Sequence, residues 1–315
     1  MDGLLVIDKP IGPTSHDVVA RMRRVLRERR IGHTGTLDPL ASGVLPLVIG
    51  RATRLARFLS GSDKSYEAVI RLGVATDTGD AEGSPVGEAF TGALPTVDVI
   101  DRALDAFRGQ FEQQPPVFSA KKVGGQRSYD VARGRRGQVR TGSGPDTDPT
   151  RTRVVPESYP SPLAYVPVTV AQLTVTRFDG DALTLTLTCS AGFYVRALAR
   201  DLGARLGTGG HLAALRRTRV GTLTLEAATP LADAERDPAA TAARLVPLSQ
   251  MLTEWPAATL DADGVRRACQ GRDVPGIGTP DAGFVRLTDE SGDLIAIAEP
   301  SPTTPGLLHP FVVLR

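Results

Sequence analysis

The 315-residue chain contains no apolar run approaching the ~18 residues that cross a bilayer, and its first residues lack a charged segment followed by a long apolar one. A membrane-spanning helix is thereby not expected, and a soluble cytoplasmic protein is. Cysteine is scarce. Cys189 and Cys269 stand far apart with no C-x-x-C spacing, which excludes a disulfide framework and a thiolate zinc site. Both are expected to fill core space. His16, His33, His211 and His309 show no metal-ligand spacing either, so no metal is expected. No glycine fingerprint follows a strand-like run, and Gly207-Thr208-Gly209-Gly210 matches a dinucleotide loop only superficially. Asp77-Thr78-Gly79-Asp80-Ala81-Glu82-Gly83 lacks the ligand spacing of an EF-hand.

What is present is unevenly distributed. The formal net charge of +2 does not by itself point to a polyanion partner. Residues 21–30, however, hold six arginines against Glu28, and residues 121–140 hold seven basic side chains against Asp130. A third group, Arg196, Arg200, Arg205, Arg216, Arg217 and Arg219, is opposed by Asp201 alone. Any one cluster reads as an ordinary solvated face. Three of one sign favour a surface that tracks phosphates. The length accommodates one large domain, or one of roughly 200 to 250 residues with a small companion.

Along the chain, residues 3–8 read as a short strand, and Lys9-Pro10-Ile11-Gly12-Pro13 as a turn into a helix capped by Thr14 or Ser15. Val18, Val19, Met22, Val25 and Leu26 form its apolar stripe. Residues 44–50 have the length of a buried strand, 51–59 look helical, and 64–73 alternate like a half-buried strand. A helix is expected over 97–107. Asp179-Gly180 signals a hairpin between strands at 166–178 and 182–190, with Arg196 where strand gives way to a helix at 197–206. Residues 284–298 read as a second hairpin.

The stretch Gly32-His33-Thr34-Gly35-Thr36-Leu37-Asp38-Pro39-Leu40-Ala41-Ser42-Gly43-Val44-Leu45-Pro46 packs three glycines and two prolines around one acid. Asp before Pro commonly opens a turn, and that bland reading stands beside the functional one. Against it, Asp38 falls at the mouth of an apolar run, where an unpaired carboxylate costs several kcal/mol and calls for a cation from elsewhere in the chain. A Ser42/His33/Asp38 hydrolase fits on residue types alone but lacks the nucleophile elbow.

This stretch resembles the catalytic motif of the bacterial TruB family of pseudouridine synthases, in which the aspartate matching Asp38 is catalytic. The resemblance extends to Asp8-Lys9-Pro10, Gly12 and Ser15-His16; to Lys64-Ser65-Tyr66; to Pro115-Pro116 with Ser119-Ala120-Lys121-Lys122; to Gly192-Phe193-Tyr194-Val195-Arg196, where Phe193 and Val195 replace the family's Thr and Ile; and to the run ending Leu215-Arg216-Arg217. It implies an α+β pseudouridine synthase fold with a mixed, largely antiparallel sheet around a cleft. The catalytic domain would occupy residues 1–230, with a flexible insertion at 134–165. Residues 231–315 would be a linker and a small PUA-like RNA-binding β domain.

The implied activity is isomerisation of uridine 55 in the T loop of transfer RNA, without cofactor, metal or guide RNA, by a protein for which nothing demands more than a monomer. Asp38 would be the central carboxylate and Arg196 its counter-cation. Tyr66 would stack on the flipped base, with a role as proton carrier as a further expectation. Leu215 and Tyr194 would line the pocket, His33 would lie near the target, and Lys121 would meet a backbone phosphate. The rival readings are a guide-RNA-dependent relative and an RNA chaperone that binds transfer RNA without chemistry.

Overall fold

The computed structural model describes residues 1–116, 122–123, 126–127, 164–276 and 283–315. The expectations for Lys121 and for the 134–165 insertion fall almost wholly outside them. The architecture is α+β with a mixed sheet, and the chain divides into two compact units. Met1–Leu37, Val44–Ser60 and Glu226–Arg315 form one, while Asp38–Gly43 and Gly61–Leu225 form the other.

In the Asp38 unit, the strands Lys64–Leu72, Ala182–Cys189, Val166–Asp179 and Gly109–Gln113 pair antiparallel in that spatial order. Gly210–Val220 pairs antiparallel with the far edge of Lys64–Leu72 and parallel with Ala41, Ser42 and Gly43. Lys64–Leu72 shows why alternation specifies a strand: Tyr66, Ala68, Ile70 and Leu72 are buried while Glu67 and Arg71 are exposed. Its inner face meets Leu183, Leu185 and Leu187, and the helix Val195–Leu206 adds Leu198, Ala199 and Leu202. Full burial of each such leucine contributes about 1.5–3 kcal/mol. That helix closes on Gly207 at φ 70°, a left-handed cap that a side chain would strain.

In the other unit, Gly3–Lys9 pairs parallel with Thr229–Pro230 and antiparallel with Val246–Pro247, and Ile31–His33 pairs antiparallel with Leu47, Val48 and Ile49. The helix Ser15–Val25 starts at Thr14 in a capping box with Asp17 and buries Val18, Val19 and Met22. The same unit contains a five-stranded sheet in the order Ala257–Leu260, Val285–Asp289, Leu294–Pro300, Leu307–Val313, Val274–Pro275. Phe58, Trp255, Phe284 and Phe311 cluster in this unit, with the Trp255 and Phe284 rings stacked at 5.4 Å.

Two sequence expectations need correction. Cys189 is buried as expected, but Cys269 is exposed, because it ends the helix Ala262–Cys269, whose buried positions are Gly264 and Ala268. The helix expected at 197 begins at Val195, so Arg196 lies in its first turn rather than ahead of it.

Candidate active site

Asp38 and Arg196 meet inside one unit. Arg196 Nε lies 2.9 Å from Asp38 Oδ2, and the two side chains are 7% and 37% exposed. The guanidinium is therefore walled off while the carboxylate keeps an open edge. A second acid shares the cation: Asp80 Oδ2 is 3.6 Å from Arg196 Nη1, which also donates to the Thr78 carbonyl at 3.2 Å. Asp80 is itself fixed, accepting from Thr78 Oγ1 at 2.5 Å and from the Glu82 amide at 3.1 Å.

The loop carrying Asp80 is sewn to Gly210–Val220. The Leu212 amide donates to the Gly79 carbonyl at 3.0 Å, and the Ala81 amide to the Leu212 carbonyl at 2.9 Å. Arg196 is thus held from two sides by elements remote in sequence, so its charge is set in place before any substrate arrives.

The acid's own loop is anchored through Gly43. Gly43 sits at φ 107° opposite Arg217, and a Cβ there would lie 2.1 Å from the Arg217 carbonyl oxygen. Only glycine lets the two strands close at this point. The Ala41 amide also donates to the Asp38 carbonyl at 3.0 Å, holding the turn that aims the carboxylate.

Tyr66 lies at 8% exposure, cross-strand from Leu187 on one side and Arg217 on the other. Burial pushes its phenol up to about 12, although the positive charge of Arg217 and, to a smaller extent, its hydrogen bond work against the rise. The hydroxyl is therefore protonated at neutral pH. Burial also holds Arg217 and Lys64 below their ordinary values, with repulsion from Arg217 adding to the effect at Lys64.

The remaining expected residues are distributed as follows. Tyr194 immediately precedes the Arg196 helix, and its backbone is gripped by Gln113, which donates to the Tyr194 carbonyl at 3.1 Å and accepts from its amide at 2.8 Å. Leu215 is half-buried against the core, opposite Ala41 and Ala68. His33 belongs to the other unit, where its ring stands edge-on to His16 at 5.3 Å. Asp80, Arg217 and Gln113 were not singled out as site residues by the sequence. The cue for Asp80 was the Asp77-Thr78-Gly79-Asp80 run, considered above only as a calcium loop. Arg217 had no local cue, because which arginine of the run turns inward is decided by its pairing with Tyr66 and Gly43.

Among the described residues, no group of three His, Cys, Asp or Glu side chains could hold a metal ion, and no helix is long and apolar enough to cross a membrane.

Comparison with known proteins gives this geometry its setting. The family model for the N-terminal domain of TruB family pseudouridylate synthases matches residues 23–141, and that for the tRNA pseudouridylate synthase B C-terminal domain matches residues 196–253. The tRNA pseudouridine synthase B of Solibacter usitatus (strain Ellin6076) is 40% identical over 323 residues, covering 100% of both chains. That of Paenarthrobacter aurescens (strain TC1) is 42% identical over 311 residues, covering 94% of this chain and 91% of the relative. In fold, the chain is similar to a Cbf5-Nop10-Gar1 complex chain at TM-score 0.69 and 24% identity, covering 99% of this chain and 85% of that one. A chain of an H/ACA RNP bound to a substrate RNA containing 2'-deoxyuridine matches at TM-score 0.68 and 22% identity, with the same coverage.

Relatives of this kind along the full length, together with the family models, define a pseudouridine synthase, an isomerase. Within that class, the chain belongs to the TruB family.

Proposed function

We propose that this protein isomerises uridine in transfer RNA to pseudouridine, at position 55 of the T loop, as a standalone enzyme without guide RNA. The observation that carries the reading is the Asp38–Arg196 ion pair at 2.9 Å within the family's motif residues. Full-length relatives named tRNA pseudouridine synthase B support the RNA class. The reaction breaks the bond from ribose C1′ to uracil N1, rotates the base and joins C1′ to C5. Nothing is oxidised or hydrolysed, and one ionised carboxylate suffices at its centre.

A base within a folded T loop is inaccessible, so it is flipped out, at an unstacking cost of a few kcal/mol offset by pocket contacts. Asp38 then meets C1′ or C6, or assists a glycal intermediate, while Arg196 holds the carboxylate in its reactive orientation. Tyr66 stacks on the extruded base, Leu215 and Tyr194 wall it, and His33 and Lys121 contact the surrounding RNA. The high value of the Tyr66 phenol favours stacking and hydrogen donation over a role as base. Residues 1–230 act as the catalytic domain, and residues 231–315 as a linker and PUA-like RNA-binding module in a cytoplasmic monomer.

The test is incubation of purified protein with an unmodified T stem-loop carrying C5-tritiated uridine. Tritium release without guide RNA is the expected result. Binding without release would select a chaperone, and release only with added guide RNA would select a guide-dependent enzyme.

A further inference from the structure

Arg217 is 1% exposed and heads the largest fully buried side chains among the described residues. Burying a guanidinium is expensive unless it serves a polar partner. The strand register sets that partner: Arg217 is directly opposite Tyr66, so both side chains leave the same face of the sheet, and the guanidinium hydrogen-bonds the phenol. Arginine has five N–H donors and no acceptor. The phenol oxygen must therefore accept from Arg217, and its own hydrogen must point elsewhere. On its other backbone edge Arg217 pairs with Gly43, five residues after Asp38 in sequence, at the close approach only glycine permits. One residue thus links the loop of the catalytic acid to the hydroxyl of Tyr66.

We propose that Arg217 is a positioning residue for the isomerisation: its guanidinium occupies the Tyr66 phenol oxygen from the buried side and fixes the Tyr66 O–H as a donor directed into the Asp38 site. A phenol so held offers a hydrogen to the extruded uracil in one orientation, instead of rotating between donor and acceptor roles. This inference rests on the proposed function of Tyr66 as part of the uridine site. A purely structural Arg217 would affect melting and leave the contribution of the Tyr66 hydroxyl untouched.

A double-mutant cycle separates these roles, using the full-length protein, the T stem-loop tritium assay and thermal unfolding of each variant. Arg217→Met is expected to lower kcat about tenfold with KM within about twofold, and Tyr66→Phe to cost about tenfold alone but less than about twofold when added to Arg217→Met. Arg217→Lys, which keeps a donor but not the fork, is expected to recover part of kcat. An equal loss from Tyr66→Phe in both backgrounds would overturn the proposal, as would an Arg217→Met variant that melts earlier yet keeps kcat. If Arg217→Met does not fold, Arg217→Lys takes its place in the cycle: non-additivity with Tyr66→Phe supports the proposal and additivity overturns it. Full turnover by Asp38→Asn would instead defeat the underlying reading of the site, so the two failures are distinguishable.

Discussion

The Asp38 unit and the C-terminal five-stranded sheet solve the same packing problem in opposite ways. The former buries Lys64, Asp80, Gln113, Arg196 and Arg217. The latter buries Val285, Leu287, Ile295, Ala296 and Ile297 at 0% exposure and keeps the His309–Asp273 contact and the Arg315–Asp289 ion pair at the rim. Thr288 and Arg286 are its buried polar side chains, and Arg286 donates to the Ser249 carbonyl at 2.6 Å. Apolar stacking stabilises a sheet without demanding partners, whereas every buried charge needs one and lowers net stability if it loses it. A unit that retains buried charges such as Asp80, Arg196 and Arg217, one of them paired with a carboxylate that keeps an open edge, is arranged for chemistry first.

The sharpest way to break that contrast is Asp38→Asn. The amide keeps the shape but loses the charge, so turnover should fall by at least about 10³-fold while T stem-loop affinity changes less than about threefold. Tritium release with a parallel binding titration checks it, and retained turnover would empty the site of meaning. Next in size is Arg196→Ala. It strands Asp80 as a buried carboxylate, so about 3 kcal/mol of stability should go together with about 10²-fold in turnover and little RNA affinity. Equal losses of turnover and affinity would make Arg196 an RNA-binding residue instead. A smaller effect is expected for Asp80→Asn, which keeps the Thr78 hydrogen bond but removes one of the two charges on Arg196. Turnover should drop about tenfold, with melting nearly unchanged.

These expectations bear on what the chain made legible. The Lys64–Leu72 alternation and the Asp179-Gly180 turn could be read directly, because both depend on local periodicity and turn chemistry. Asp38 was legible through its glycine–proline frame, and Arg196 as a cation near a helix start. Asp80 was not, since an acid in a Thr-Gly-rich loop looks like a self-capping turn. Its pairing arises only when backbone hydrogen bonds to Leu212 bring the loop home. Arg216, Arg217 and Arg219 looked like one solvated basic run. Which of them turns inward depends on register with Tyr66 and Gly43, and those long-range pairings have no local signature. Nor does local pattern reveal that residues 226–315 join residues 1–37 and 44–60 in one compact unit.

The smallest predicted effect lies at the rim of the C-terminal sheet. Asp273 accepts from Ser301 Oγ at 2.6 Å and contacts His309 Nδ1 at 2.8 Å, and these contacts, Ser301 first, hold its carboxyl below the ordinary 3.8. A carboxyl depressed in the folded state contributes stability that is fully present above its unfolded value and is lost as pH falls through the folded one. Asp273→Asn should therefore melt slightly earlier than the parent at neutral pH, by less than ~1 °C because His309 is 41% exposed, and the gap should close below about pH 4. Melting curves across pH 3 to 7, on the order of one per half unit, would resolve it. Isomerisation by this variant should match the parent. A tenfold loss of turnover would mean that the rim pairs of this sheet are not mere supports, and that charge in the two regions is used alike.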